Sequence, residues 1–362
     1  LLTNNLYKVI GNETINHSQS LLLGLMNVLP QEYPVTCRNI DLDLNEKSTQ
    51  QVALLIKEII NPDIKDREVS LRYNQRWVKE YQKYSTDLNI QQEVLTPGGT
   101  YLIAGGLGNI GFTIARYLVD RYKARIILLG KTELEGDLSL HGQSRLSRLN
   151  SLKNISKEIY YYRADIADKE HLAKIITEVT GTWGKINGVI HAAGNMDWNN
   201  FEFIKDISTE RAVSLFAPKI TGIKNLHEVF TGCEPDFVWI ASNITTVLGG
   251  LASGSFSSAN LYMEHFVLSR KEDKCNWKIV NLADANFADR EYKKEREADL
   301  SPDELGELFR WSLTVPETQV FYESREELLS RIHKTYYTQK EIYQDSNILG
   351  EDIEKLARPN LS

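Results

Sequence analysis

The stretch Thr100-Tyr101-Leu102-Ile103-Ala104-Gly105-Gly106-Leu107-Gly108-Asn109-Ile110-Gly111 decides the fold. A short apolar run leads straight into a glycine-rich turn, and helical spacing over Ile110–Tyr122 follows at once. Glycines permit the tight turn, let backbone N–H groups approach a pyrophosphate, and let the next helix pack closely on the sheet. A glycine-rich run alone is a weak signal; between a strand and a helix it has the context that a dinucleotide fingerprint requires.

Outward from this turn the pattern repeats. Strands are expected at Tyr101–Ala104, Arg125–Leu129, Glu158–Ala164, Gly188–His191, Asp236–Ala241 and Trp277–Leu282, with helices such as Lys169–Thr180 between them. Short apolar strands alternating with amphipathic helices give a Rossmann-like, doubly wound parallel sheet in an α/β domain. The second strand ends in Gly130-Lys131-Thr132. Enzymes that use NAD place an acid there for the ribose hydroxyls, whereas Lys131 suits a 2′-phosphate and so NADPH, or else is simply solvated. Asp165, followed by Ile166, ends the third strand where an adenine would lie.

Before this unit the chain is mixed. Leu21–Leu29 is largely apolar, Val35–Leu44 alternates as a strand, Gln50–Ile60 has helical spacing, and Val69–Arg72 and Arg76–Tyr81 read as short strands around Asn74. Ser85–Gly99, ending Pro97-Gly98-Gly99, reads as a linker.

Composition sets bounds. The chain has 362 residues with 42% hydrophobic and 25% charged content, the balance of a globular protein. A net charge of −7 gives no support for nucleic acid or an anionic membrane as partner. Three scattered cysteines, Cys37, Cys233 and Cys275, have no metal-ligand spacing and fit a reducing cytoplasm. No apolar run approaches the ~18 residues of a membrane span. The start, Leu1-Leu2-Thr3-Asn4-Asn5, reads as cut from a longer polypeptide.

Several motifs together resemble the ketoreductase domains of modular polyketide and hybrid peptide–polyketide synthases, in the short-chain dehydrogenase/reductase superfamily. Val28-Leu29-Pro30-Gln31-Glu32-Tyr33-Pro34 and Cys37-Arg38-Asn39-Ile40-Asp41 resemble the family's catalytically silent structural subdomain. Ile103–Gly111 is similar to its phosphate loop, with Ala104 in place of threonine and Asn109 in place of glycine. Gly188-Val189-Ile190-His191-Ala192-Ala193-Gly194 matches the cofactor floor, and Ala217-Pro218-Lys219-Ile220-Thr221-Gly222 the segment with the catalytic lysine. Arg358-Pro359-Asn360-Leu361-Ser362 resembles the linker to a carrier-protein domain.

The resemblance implies three segments: a partial structural subdomain over 1–95, a catalytic-type Rossmann subdomain over 96–335, and a linker over 336–362. It implies NADPH on Gly105, Gly106, Leu107, Gly108, Asn109, Ile110 and Gly111, with Lys131, Asp165, Ile166, Ala192, Ala193 and Gly194 around it. It also implies a carrier-bound acyl thioester and neighbouring synthase domains as partners, no metal, and His191 in a structural role. In this family a tyrosine protonates the carbonyl oxygen, a lysine tunes that tyrosine, a serine bonds the substrate oxygen, and an asparagine completes the relay. The asparagine follows the tyrosine by four positions and the serine precedes it by thirteen. Anchored on Asn260, the tyrosine position holds Phe256 and the serine position Asn243, while Lys219 is in place.

Phenylalanine keeps the ring and deletes the acid. Asn243 can donate an N–H but cannot relay a proton. Ser242 and Tyr262 are the substitute hydroxyls to test. Asn281-Leu282-Ala283-Asp284-Ala285 departs from the family's Asn-Trp-Pro, and the stretch to Leu300 has no glycine where a lid is usual. Neither Trp198 nor Leu248 carries a family stereochemical fingerprint. Three expectations follow: a non-reducing structural and docking domain, an active NADPH-dependent reductase of β-keto or α-keto acyl thioesters with a substitute proton donor, or a module that holds an acyl intermediate without chemistry.

Overall fold

A computed structural model describes residues 1–11, 13–45, 49–61, 66–81, 93–134, 139–194, 200–271, 273–283, 300–322, 328 and 330–332. The expectations for Trp198, for the stretch 284–299 and for the linker 336–362 lie outside these residues.

The N-terminal part builds a small sheet in the order β1-β2-β3-β4. Strands β1 (Leu2–Asn4), β2 (Asn39–Leu42) and β3 (Glu68–Arg72) are parallel, and β4 (Gln75–Val78) returns antiparallel. Tyr73 and Asn74 both take left-handed backbone, with φ of 49° and 57°, so the turn's twist matches its strands. Helix α1 (Ser20–Glu32) precedes β2, and α2 (Thr49–Ile60) crosses from β2 to β3. The alternation over Val35–Leu44 yields a strand only at Asn39–Leu42. Buried Asp41 fixes that strand, accepting from Thr3 Oγ1 at 2.7 Å and Leu6 N at 2.9 Å and pairing with buried Arg72.

The main sheet has seven parallel strands in the order β11-β10-β9-β8-β5-β6-β7. They are β5 (Thr100–Ala104), β6 (Arg125–Gly130), β7 (Ile159–Arg163), β8 (Gly188–His191), β9 (Phe237–Asn243), β10 (Asn276–Leu282) and β11 (Gln319–Tyr322). The expected doubly wound sheet is therefore present. Its central strands read as unbroken apolar runs because helices cover both faces. On one face Ile103, Leu128 and Trp239 pack with Ile114 and Leu118 of α3 (Asn109–Tyr122), with Leu149 and Leu152 of α4 (Leu140–Ile155) and with Phe309 of α10 (Pro302–Ser312). On the other, Leu102, Ile127 and Ile240 pack with Leu172 of α5 (Lys169–Trp183), Ile223 of α7 (Gly222–Phe230) and Met263 of α9 (Gly254–Ser269). Between them in the chain lie α6 (Thr209–Phe216) and the short α8 (Thr245–Leu248).

Several boundaries differ from the sequence reading, and β4 ends at Val78, short of the expected Tyr81. Leu95 is buried in the core, and Thr96 N donates to Tyr101 Oη at 2.8 Å, so the end of the expected linker Ser85–Gly99 belongs to the packed unit. Strand β9 runs two residues past Ala241, because Ser242 and Asn243 continue in register with Asn281 and Leu282.

Helix α9 is buried along residues 254–267, since α1 covers its outer side. The approach is close: a Cβ on Gly24 would lie 2.2 Å from Ser258 N. The C-terminal half of α1 also grips the loops around α8. Asn27 Nδ2 donates to Thr246 O at 2.6 Å and Gln31 Nε2 to Leu248 O at 2.7 Å. The Glu32 carboxylate accepts from Ile204 N at 2.7 Å and Ala252 N at 2.9 Å.

Candidate active site

The strand order reverses between β5 and β8, and ligands of open parallel sheets bind at the C-terminal ends of the strands beside such a reversal. The glycine-rich turn lies there. Gly105 has φ of 75°, and a Cβ on it would come 2.7 Å from Ala192 O; one on Gly111 would come 2.4 Å from Gly105 O. Gly108 is the N-cap of α3 and no side chain caps that end. The first-turn N–H groups have no intrahelical acceptor, which suits a phosphate. Gly106 is held against Leu128, and the side chains of Leu107 and Ile110 pack into the core, so these positions offer backbone to a ligand. Asn109 Oδ1 accepts from Arg148 Nη2 at 2.6 Å, and Arg148 Nη1 donates to Leu107 O at 2.8 Å.

Lys131 Nζ lies 3.2 Å from Asp165 Oδ2, and Asp165 Oδ1 accepts from Ala167 N at 2.9 Å. Ile166 is buried under Gly222. Ala192 and Ala193 are half-buried and Gly194 is exposed. A Cβ on Gly194 would lie 3.7 Å from Lys219 Nζ, which puts the expected cofactor floor beside the lysine.

Lys219 sits in a π-type turn, Ala217–Thr221, between α6 and α7, where Pro218 supplies no backbone N–H. Its ammonium is buried and donates to Asn260 Oδ1 at 2.8 Å; Asn260 Nδ2 donates to Phe256 O at 2.9 Å. Burial lowers the Lys219 pKa to about 8, against an opposing pull from Glu264. The Phe256 ring is 5% exposed, and its centre is 5.4 Å from that of Phe201. Lys219, Phe256 and Asn260 thus converge. Asn243 ends β9 with its Oδ1 turned to Thr245 N at 2.9 Å, and Thr245 O in turn accepts from Ser257 Oγ at 3.0 Å, next to Phe256.

His191 is buried, and burial together with the Lys219 charge drops its pKa to about 3, so it is neutral. Ser242 is 5% exposed, and its Oγ donates to Glu264 Oε1 at 2.8 Å. Tyr262 is buried edge-on to His17, with ring centres 5.2 Å apart.

Sequence reading missed Glu264 and Arg148. Glu264 accepts from Asn281 Nδ2 and, at 2.9 Å, from Gln319 Nε2, and burial raises its pKa. The four-residue spacing Phe256, Asn260, Glu264 along one helix face was the available signal. Among the described residues no group of His, Cys, Asp or Glu is placed to hold a metal, and no helix is long and apolar enough to cross a membrane.

A family model described as the KR domain matches residues 99–283, more than half of the chain. The chain belongs to the KR-domain family. This KR domain is similar to part of a phenolphthiocerol/phthiocerol polyketide synthase from Mycobacterium tuberculosis (strain CDC 1551 / Oshkosh). The two are 25% identical over 285 residues, which is 78% of this chain and 15% of that relative. Among solved structures it is similar to a ketoreductase domain from the bacillaene assembly line, with a TM-score of 0.74, 20% identity, and coverage of 88% of this chain and 76% of that one. It is also similar to an adenylation, ketoreductase and pseudo Asub multidomain structure of a keto acid-selecting NRPS module. There the TM-score is 0.78 at 22% identity, covering 93% of this KR domain and 29% of that chain. At these identities the structural likeness speaks for the fold.

Proposed function

We propose that this KR domain is a reduction-impaired unit of a polyketide or hybrid peptide–polyketide synthase, kept as a structural and docking element beside a carrier-bound acyl thioester, with a groove that still suits NADPH. The observation that carries this reading is Phe256. At the point where Lys219 and Asn260 converge, the side chain offers a ring and no proton. The nicotinamide, when bound, supplies hydride to a carbonyl carbon. The alkoxide that develops must be stabilised and protonated, and losing a positioned general acid costs about 10²–10⁴ in rate. Of the two substitute hydroxyls, Ser242 Oγ is engaged with buried Glu264 and the buried Tyr262 packs its ring against His17, which supports this reading.

The glycine cradle, the uncapped start of α3 and the exposed Gly194 beside Lys219 fit a dinucleotide. Embedding in a synthase agrees with the small share of its relative that the chain spans. A large packed domain between neighbours keeps their spacing even without turnover. The test is NADPH oxidation with a small β-keto thioester, compared with a relative of intact Tyr and Ser. A rate typical of such relatives overturns the reading.

One observation favours a second reading, slow reduction with Lys219 as the acid. A pKa of about 8 lets its ammonium give up a proton near neutrality. The residual rate would then fall as pH rises through 8 and vanish in Lys219→Met.

A further inference from the structure

We propose that Lys219 is a nucleophile, and that its amine condenses with the ketone of an incoming keto acyl thioester and holds the group as an imine. The inference goes beyond the reading above and rests on one part of it, that a keto acyl group enters this site. The amine is buried yet stands beside an opening. A Cβ on exposed Gly194 would lie 3.5 Å from Lys219 Cε and 3.7 Å from its Nζ. On another side the centre of the Phe256 ring is 5.4 Å away, and Phe201 packs on that ring. Asn260 Oδ1 takes one N–H at 2.8 Å. A neutral amine held by that one bond keeps its lone pair for a carbon.

A lysine desolvated among apolar groups is a recurrent route to an amine nucleophile near neutrality. Among the described residues no carboxylate pairs with Lys219. Glu264 of α9 pulls toward the ammonium, but burial favours the neutral form of Glu264 too, and His191 of β8 carries no charge. Near neutral pH, an amine with a pKa of about 8 is unprotonated about two orders of magnitude more often than a free lysine. The condensation needs no co-reactant. The nitrogen lone pair attacks the carbonyl carbon and the π pair moves to oxygen. Both amine protons then leave with that oxygen as one water while the C=N bond forms. Nothing is oxidised or reduced, the thioester stays intact, and water reverses the step.

The test treats the whole chain, at about pH 7.5, with the acetoacetyl thioester of N-acetylcysteamine and sodium cyanoborohydride, which reduces imines and spares ketones. Peptide mass spectrometry then maps the adducts. The adduct should retain the whole thioester and should mark Lys219 at least about ten-fold more than any other lysine, following the neutral fractions. The butanoyl thioester, which lacks the ketone, should give no imine adduct, and Lys219→Arg should remove it. Asn260→Asp sets a carboxylate beside the amine, so labelling should fall at least about ten-fold near neutrality and recover above about pH 9. No labelling, or labelling spread evenly over the lysines, overturns the inference. So does an adduct on Lys219 that has lost the thiol, because that is acyl transfer. The map of the unmodified chain decides even where a variant fails to fold. NADPH oxidation is a separate readout: a rate typical of intact relatives together with labelled Lys219 overturns the impaired-reduction reading and leaves this inference standing.

Discussion

The Lys219 ammonium lies 5.4 Å from the centre of the Phe256 ring. A cation over an aromatic face is attracted by the ring quadrupole, so the pair is a stable contact in which the ring contributes no exchangeable proton. Phe256→Tyr would add that proton. With Asn243→Ser it should raise turnover of a β-keto thioester by about 10²–10⁴ over the unmodified chain, and each single change should give less. Steady-state rates with saturating NADPH check this. No gain in the double variant while NADPH binds would place the defect elsewhere in the site.

Lys219 also predicts a pH dependence. Its folded pKa, about 8, lies below the 10.5 of a free lysine. Between those values the folded chain holds a neutral amine and the unfolded chain an ammonium. The unfolded state then binds more protons, so stability rises with pH through this window. Thermal melts from pH 7.5 to 10.5 should show the rise, and Lys219→Met should flatten it.

Asn260 accepts a hydrogen bond from that buried ammonium. Asn260→Leu removes the acceptor and should cost about 2–3 kcal/mol, as for other hydrogen bonds to charged groups. Combined with Lys219→Met the cost should be well below the sum, because no charge is then left stranded. Denaturant midpoints of the unmodified chain, the two single variants and the double variant make the comparison.

Glu32 ties α1 to two loops at once. Glu32→Ala strands the Ile204 and Ala252 N–H groups and should destabilise the chain by about 1–3 kcal/mol. Amide exchange should quicken at Ile204 and Ala252 first. Equal quickening across β5 and β6 would mean global loosening in place of a local clamp.

The parallel sheet was legible because its strands are buried on both faces and stand out as apolar runs, as at Ile126–Leu129. The convergence of Lys219, Phe256 and Asn260 was legible through fixed spacings shared with a family. Arg148 was not, because nothing in the local pattern of α4 marks one arginine among its polar residues as the one that folds back onto Leu107 and Asn109. Glu32 was equally silent: its partners are backbone N–H groups 172 and 220 residues away, and backbone leaves no trace in side-chain pattern. The strand over Val35–Leu44 was overdrawn because alternation alone says nothing about where hydrogen-bonding partners end.

The burial of α9 from end to end also governs heredity. A helix sealed under α1, with Gly24 pressed against Ser258, rejects most replacements at position 256 on volume alone. Phenylalanine passes because it differs from tyrosine by one oxygen, and the codons of the two differ by one base; each asparagine codon is likewise one base from a serine codon. From the present Phe256 and Asn243, two single-base changes reach a Tyr/Ser pair and leave the architecture whole. The gene therefore stays within short mutational reach of an intact pair.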